Sequence, residues 1–187
     1  VDYSSVGAEA LIRYQPRFGP LLLPDHFLPM LKESQTISQI DFYVFECACA
    51  QLSAWAKQGK PPMTVSVNFS RSSLMEQDFV SRLTKVCEAY GVERRLMEIE
   101  LTETFHEPDG DHLKALIQAL RQAGFLVSID DFGTAYANLS VLYTVEFDVL
   151  KLDKSLVDDI VHNAKARAII ESTVAACQKM QIQVVAE

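Results

Sequence analysis

Residues 128–136 read Ser128-Ile129-Asp130-Asp131-Phe132-Gly133-Thr134-Ala135-Tyr136, an apolar strand that runs into two adjacent acids and a glycine. Neighbouring side chains on a regular strand point to opposite faces, so both acids can face one site only if the strand stops and the backbone turns. Gly133 is predicted to provide that turn. Two carboxylates at a strand end indicate a cation site. The alternative is an Asp-rich loop whose carboxylates cap backbone amides.

Strand-like and helix-like segments alternate along the chain, which predicts a parallel sheet with helical crossovers. Strands are expected over about 6–13, 63–68, 97–101, 125–129, 147–153 and 182–187. A polar side chain lies at or near the end of each one: Glu9, Asn68, Glu100, Asp130, Lys151 and Glu187. An open doubly wound sheet would spread these groups across its width, whereas a barrel brings them to one face. We therefore predict a (β/α)8 TIM-like barrel.

Helices are predicted from periodicity and end signals. Asp25 is expected to N-cap a short helix to about Lys32. Thr36 and Gln39 resemble a capping box that opens a long helix to about Lys57. A second capping box at Ser73 should open a helix to about Tyr90, and further helices are expected over 111–122 and 164–180.

Length and composition favour one globular domain over residues 1–187, since 187 residues with 49% apolar side chains can bury a sizeable core.

The formal charge is -8 and no basic cluster is present, which argues against DNA and RNA polymers as partners. A small anionic ligand is compatible with this negative charge if bound cations reverse the local electrostatic field.

No apolar run suits a membrane span and no signal peptide is visible, which leads us to expect a cytoplasmic location. The four cysteines lack Cys-x-x-Cys spacing and are interpreted as buried thiols.

The strand-end residues suggest a metal site. Five carboxylates and one amide oxygen around a single cavity would repel one another without cations. An all-oxygen donor set suits Mg²⁺ or Mn²⁺ better than Zn²⁺. Two such ions about 3.5–4 Å apart are typical of phosphoryl transfer, with Asp131 as the natural bridge. Lys151 is then predicted to help activate the attacking water and Glu187 to take its proton.

Other interpretations of these residues stay open at this point. Lys151 could simply pair with a neighbouring acid, or could form a Schiff base as in barrel aldolases. Arg13 could be a surface ion-pair partner or a bidentate phosphate clamp. Glu103 could be solvated or could hold the Asp-Asp loop by hydrogen bonds.

Several motifs together resemble those of the EAL-domain phosphodiesterases, which act on the bacterial second messenger cyclic di-GMP. Glu9-Ala10-Leu11-x-Arg13 resembles the family signature, and five further segments follow in the family's order and spacing. They are VSVNFS at 65–70, ELTET at 100–104, DDFGT at 130–134 and LKLD at 150–153, with VVAE at 184–187 closing the series.

The resemblance implies a modified TIM barrel that hydrolyses cyclic di-GMP to linear pGpG with two Mg²⁺ or Mn²⁺ ions. By position, it assigns water activation to Lys151, the general base to Glu187 and support of the loop after Asp131 to Glu103. Leu11, Arg13 and Asp153 would contact the nucleotide. The implied metal ligands are Glu9, Asn68, Glu100, Asp130, Asp131 and Glu187. A homodimer and flanking sensor or GGDEF domains are also expected, in a parent protein that could be membrane-tethered.

The sequence departs from the family pattern in the loop at 134–138 and at both of its ends. Ala135 stands where the family usually has a glycine, which favours a catalytically inactive EAL domain that acts as a cyclic di-GMP receptor. The first strand and the last strands of the family have no counterpart in the sequence, so the barrel is expected to be incomplete at both ends.

Overall fold

The computed structural model describes residues 5–31, 36–102, 110–133 and 141–186. The chain divides into two compact units, Val1–Ile99 and Glu100–Glu187. Six β-strands and eight α-helices lie within the described residues. In this part of the chain, every helix is too short or too polar to span a bilayer.

The first unit pairs two parallel strands under a long helix. Strand β1 (Gly7–Ala10) runs parallel to β2 (Thr64–Asn68), with Glu9 opposite Ser66 in the register. Helix α1 (Pro24–Phe27) is followed by a short 3-10 turn (Leu28–Leu31), and α2 (Thr36–Lys57) has the predicted bounds. Helices α3 (Arg71–Leu74) and α4 (Phe79–Tyr90) follow β2, and a 3-10 turn (Arg94–Leu96) leads into β3 (Met97–Thr102).

Aromatic side chains form the core of the first unit. Helix α2 packs against β1, β2 and α4, and its buried face carries the apolar residues that recur at helical spacing. Ring centroids 4.9–5.9 Å apart link Phe42, Phe45, Phe69 and Phe79. This core holds the end of β2 against α2, which positions Asn68.

Two predicted helix starts are wrong. Helix α1 begins at Pro24 with Leu23 as its N-cap, so Asp25 lies inside the first turn; proline suits this first position because it lacks an N–H that would otherwise be unsatisfied. Ser73 opens no helix but lies within α3, where its hydroxyl donates to Asp41 instead of capping. Tertiary hydrogen bonding outweighs the local capping pattern there.

The second unit contains the end of β3 and three further parallel strands. Strand β5 (Val149–Leu152) pairs in parallel with β4 (Leu126–Phe132) on one side and β6 (Gln183–Ala186) on the other. The helices are α5 (Gly110–Gln122), α6 (Val141–Thr144), α7 (Lys154–Asp158) and α8 (Ala164–Met180). All four residues of β5 are buried, as expected for a parallel strand covered on both faces. The predicted alternation of parallel strands and helical crossovers is therefore found within this unit.

Candidate functional site

The two adjacent acids lie in a β-bulge. Ile129 pairs with Leu150 and Phe132 with Leu152, so Asp130 and Asp131 of β4 together face the single residue Lys151 of β5. The prediction that the strand stops before the acids is wrong, because β4 continues to Phe132. The backbone instead departs from regular geometry at Asp131, whose φ is +59°. A bulge changes the direction in which the side chains of a strand point. The bulge, and not an end of the strand, therefore interrupts the alternation of neighbouring side chains between the two faces of the sheet.

Gly133 continues the turn with a φ of +109°. A Cβ at this position would lie 2.5 Å from Cδ2 and 3.0 Å from Cβ of Leu156 in α7. Both the backbone angle and the close approach therefore require glycine. The predicted role of Gly133 is confirmed, with the packing of α7 as a second reason for it.

The carboxylate of Glu100 forms an ion pair with the ammonium of Lys151. The Glu100 side chain is 0% exposed and that of Lys151 is 8% exposed. A carboxylate so far from water needs a counter-charge, and Lys151 provides one. An ammonium held by a carboxylate has no lone pair with which to attack a carbonyl, so this contact favours the ion-pair interpretation of Lys151 over the aldolase-type one.

Asp130 also has a protein donor. Its Oδ1 accepts a hydrogen bond of 2.8 Å from the backbone N–H of Asp131, inside the bulge. Asp130 is 9% exposed and Asp131 is half-buried. The second unit thus places three carboxylates and one ammonium on β3, β4 and β5, with Asp130 and Asp131 opposite the residue that contacts Glu100.

In the first unit, Glu9 and Asn68 are in contact. Nδ2 of Asn68 donates a hydrogen bond of 2.7 Å to Oε1 of Glu9. Because the amide nitrogen faces Glu9, the Oδ1 of Asn68 is the atom available to a cation. The structure therefore brings these two predicted ligands together at the ends of two paired strands.

Asp41 of α2 anchors the turn that follows Asn68, a role that was not predicted. Its Oδ2 accepts from the backbone N–H of Ser70 at 2.8 Å, from the Ser70 hydroxyl at 2.6 Å and from the Ser73 hydroxyl at 2.7 Å. The serine-rich run at 70–73 was the available signal, since several hydroxyl donors close together need a common acceptor.

The predicted nucleotide contacts Leu11 and Arg13 follow β1. Leu11 is 52% exposed, and Nη1 of Arg13 donates to the carbonyl oxygen of Ile12 at 2.8 Å. A cavity of about 350 Å³ is lined by Glu9, Leu11 and Arg13 together with α2 side chains that include Tyr43 and Trp55. Both side chains are therefore accessible to a ligand in this unit.

Asp153 is the N-cap of α7. Its Oδ1 accepts from the Ser155 backbone N–H at 2.9 Å and from the Ser155 hydroxyl. These hydrogen bonds, the hydroxyl first, hold the pKa of the Asp153 carboxyl below its usual range. Asp153 thus has a structural role beside the nucleotide contact that the resemblance implies.

Glu103 and Glu187 lie outside the described residues, as does Ala135. Among the residues that are described, no group of three or more His, Cys, Asp or Glu side chains is arranged to hold a metal ion. The predicted ligands are instead engaged by protein donors: Glu9 by the Asn68 amide, Glu100 by Lys151 and Asp130 by the Asp131 backbone N–H.

Parallel βα units with polar residues at the strand ends occur both in barrels and in open doubly wound sheets. Comparison with known proteins distinguishes these two classes of fold. The family model for the EAL domain matches residues 2–187. The cyclic di-GMP phosphodiesterase NbdA of Pseudomonas aeruginosa is 33% identical over 96% of this chain and 23% of its own length. The chain thus belongs to the EAL domain family. It spans 22–27% of the length of the first curated relatives that it matches.

Solved structures of EAL-domain proteins resemble this chain in fold. The PaMucR phosphodiesterase in complex with c-di-GMP is 28% identical, with a TM-score of 0.89 over 98% of this chain and 74% of that one. The manganese and cyclic di-GMP complex of Klebsiella pneumoniae BlrP1 is 29% identical, with a TM-score of 0.75 over 87% of this chain and 40% of that one. The predicted fold class, a modified TIM-like (β/α) barrel, is confirmed, and six of its strands lie within the described residues.

Proposed function

We propose that the chain is a cyclic di-GMP phosphodiesterase domain that hydrolyses one phosphodiester bond to give linear pGpG. The observation that carries this proposal is the buried Glu100–Lys151 ion pair next to the Asp130–Asp131 bulge. A fold gains little stability from burying a carboxylate and an ammonium in place of apolar side chains. The arrangement is better accounted for as a binding site kept in charge balance until its ligand arrives.

The residues fit hard divalent cations. The donors are carboxylate and amide oxygens, which suit Mg²⁺ or Mn²⁺, and the solved BlrP1 relative contains manganese with its nucleotide. Bound cations would compensate the phosphate charge and stabilise the attacking and leaving oxygens. The residues proposed to hold two ions are Glu9, Asn68, Glu100, Asp130, Asp131 and Glu187.

The remaining roles belong to the chain's own side chains. Lys151 orients the attacking water, and Glu187 accepts its proton. Arg13 and Leu11 bind the nucleotide where both are exposed after β1, and Asp153 contacts it while capping α7. Glu103 is proposed to hold the loop that follows Asp131.

Product analysis tests the proposal. The purified chain is incubated with cyclic di-GMP and Mg²⁺ or Mn²⁺, and pGpG is separated by chromatography. Glu9→Gln removes one ligand charge from an exposed position at the end of β1 and is expected to lower the rate by about 10–100-fold. Glu88→Gln on the exposed face of α4 is the matched control, and it should leave the rate unchanged.

Tight binding of cyclic di-GMP without product would instead support the receptor alternative that Ala135 suggests. The homodimer, the flanking cyclase or sensor domains and the cytoplasmic location are proposed on the same family grounds. One relative, MucR, is named as a bifunctional diguanylate cyclase and phosphodiesterase. Light scattering of the purified chain, with and without the nucleotide, tests the dimer.

A further inference from the structure

Two buried thiols from different helices meet in the first unit. Cys49 of α2 and Cys87 of α4 have their Sγ atoms 3.9 Å apart, and the side chains are 0% and 1% exposed. The Sδ of Met97 lies 3.9 Å from the Sγ of Cys49. Cys47, two residues before Cys49, is exposed, so the predicted burial of all four cysteines is wrong at that position. Residues two apart on a helix do not share a face.

We propose that Cys49 and Cys87 form a reversible thiol-oxidation site, at which a low-molecular-weight disulfide converts the two thiols into an intramolecular disulfide. The sulfurs are already in contact, and the link would join two helices that pack against each other. Closing the gap to the ~2.05 Å of a disulfide bond requires side-chain rotation and a small movement of these helices.

The two thiols are not equivalent. The hydrogen bond with Cys49 lowers the pKa of the Cys87 thiol, and Arg94 acts in the same direction against the effect of burial. The same hydrogen bond, together with burial, raises the pKa of Cys49. Cys87 is therefore the more acidic of the two thiols, and we assign the first attack to it once it has lost its proton.

Access to Cys87 is through the end of α4. The helix ends at Tyr90, Gly91 adopts a φ of +65°, and the backbone N–H of Val92 bonds to the carbonyl oxygen of Cys87 at 2.9 Å. Cys87 thus lies in the last helical turn, where opening is less costly than in the middle of a helix.

The reaction balances as a thiol–disulfide exchange. Cys87 loses its proton, and its thiolate attacks one sulfur of the small disulfide, whose S–S bond breaks to release one thiolate. Cys49 loses its proton and attacks the Cys87 sulfur of the mixed disulfide, which releases the second small thiol. The two protein thiols are oxidised, the small disulfide is reduced to two thiols, and both protons end on those products.

The test uses oxidised glutathione on the folded chain, followed by quenching and peptide mapping by mass spectrometry. We expect a Cys49–Cys87 disulfide as the main intramolecular product, reversed by dithiothreitol and unchanged in Cys47→Ser. Since the bond would close a loop between positions 38 apart in sequence, the oxidised chain should melt at a higher temperature than the reduced chain.

Two single variants test the order of the steps. Cys49→Ala should stop at a glutathione adduct on Cys87, whereas Cys87→Ala should give no adduct on Cys49. Peptide mapping of the unsubstituted chain tests whether Cys49 and Cys87 form a disulfide, even if a variant does not fold. Recovery of free Cys49 and Cys87 after Cys47 has been fully modified would overturn the proposal, as would a disulfide that forms only in urea.

Discussion

Replacement of Lys151 by methionine removes the ammonium that contacts Glu100 but keeps an unbranched apolar stem. The Glu100 side chain is 0% exposed, so water cannot take over the lost contact. Removing one partner of a buried ion pair costs about 3–5 kcal/mol, mostly because the other charge is left buried. At roughly 2–4 °C per kcal/mol for a chain of this size, we expect the melting temperature to fall by about 6–20 °C.

Urea unfolding followed by circular dichroism measures the free energy of unfolding directly. Lys154→Met is the matched control, because Lys154 is exposed at the start of α7, and it should change stability by less than about 0.5 kcal/mol. The double variant Glu100→Leu with Lys151→Met should recover much of the loss, since a buried pair can be replaced by apolar side chains at little cost.

A divalent cation provides a second arm of the same experiment. If Glu100 binds Mg²⁺, saturating Mg²⁺ should stabilise Lys151→Met by about 2.7 kcal/mol at 100 times its dissociation constant. The unsubstituted chain should gain less, because the cation must compete with Lys151 for the carboxylate. A Lys151→Met chain as stable as the Lys154→Met control would refute a stabilising role for the ion pair of Lys151 with Glu100.

Further predictions concern the bulge and the cap of α7. Asp131→Ala should destabilise the chain by about 1–2 kcal/mol in urea unfolding because of its positive φ, whereas Asp131→Asn, which tolerates that angle, should not; equal losses would contradict the backbone argument. Gly133→Ala should cost at least about 1–3 kcal/mol, since its Cβ would meet Leu156, and an unchanged urea midpoint would refute this. Asp153→Ala should cost about 1 kcal/mol at neutral pH. Because the pKa of Asp153 is depressed in the folded chain, this stabilisation is complete above the unfolded-state pKa of about 4 and is lost as the pH falls through the folded-state value. The difference between Asp153→Ala and the unsubstituted chain should therefore shrink in acid, and a constant difference from pH 7 to about 3 would contradict the role of the ionised cap.

Periodicity was sufficient for the larger elements. The bounds of α2, Thr36–Lys57, and of α8, Ala164–Met180, match the sequence-based predictions, because a long helix repeats its pattern over several turns. The order of parallel strands within the second unit also follows from the alternation of short apolar runs and helices. Local signals failed where a distant residue competed with them. The hydroxyl of Ser73 looked like a helix cap, but Asp41 on another helix accepts its hydrogen bond.

In the candidate site, too, some features could be predicted from the sequence and others depend on residues that are distant in the chain. Strand-end positions identified Glu9, Asn68, Glu100, Asp130 and Lys151, and the structure pairs Glu9 with Asn68 and Glu100 with Lys151. The bulge at Asp130–Asp131 could not be read from the sequence, because an aspartate at positive φ has no spacing signature. The partner of Lys151 was equally undetermined, since pairing across strands depends on register and not on composition.

The proposed hydrolysis is best tested by a time course of cyclic di-GMP consumption and pGpG formation in Mg²⁺ or Mn²⁺, with Asp131→Asn measured under the same conditions. We expect that the unsubstituted chain forms pGpG, that a chelator stops the reaction, and that Asp131→Asn forms none although its urea midpoint is unchanged. Intact cyclic di-GMP with the unsubstituted chain, or equal rates for both proteins, would contradict it.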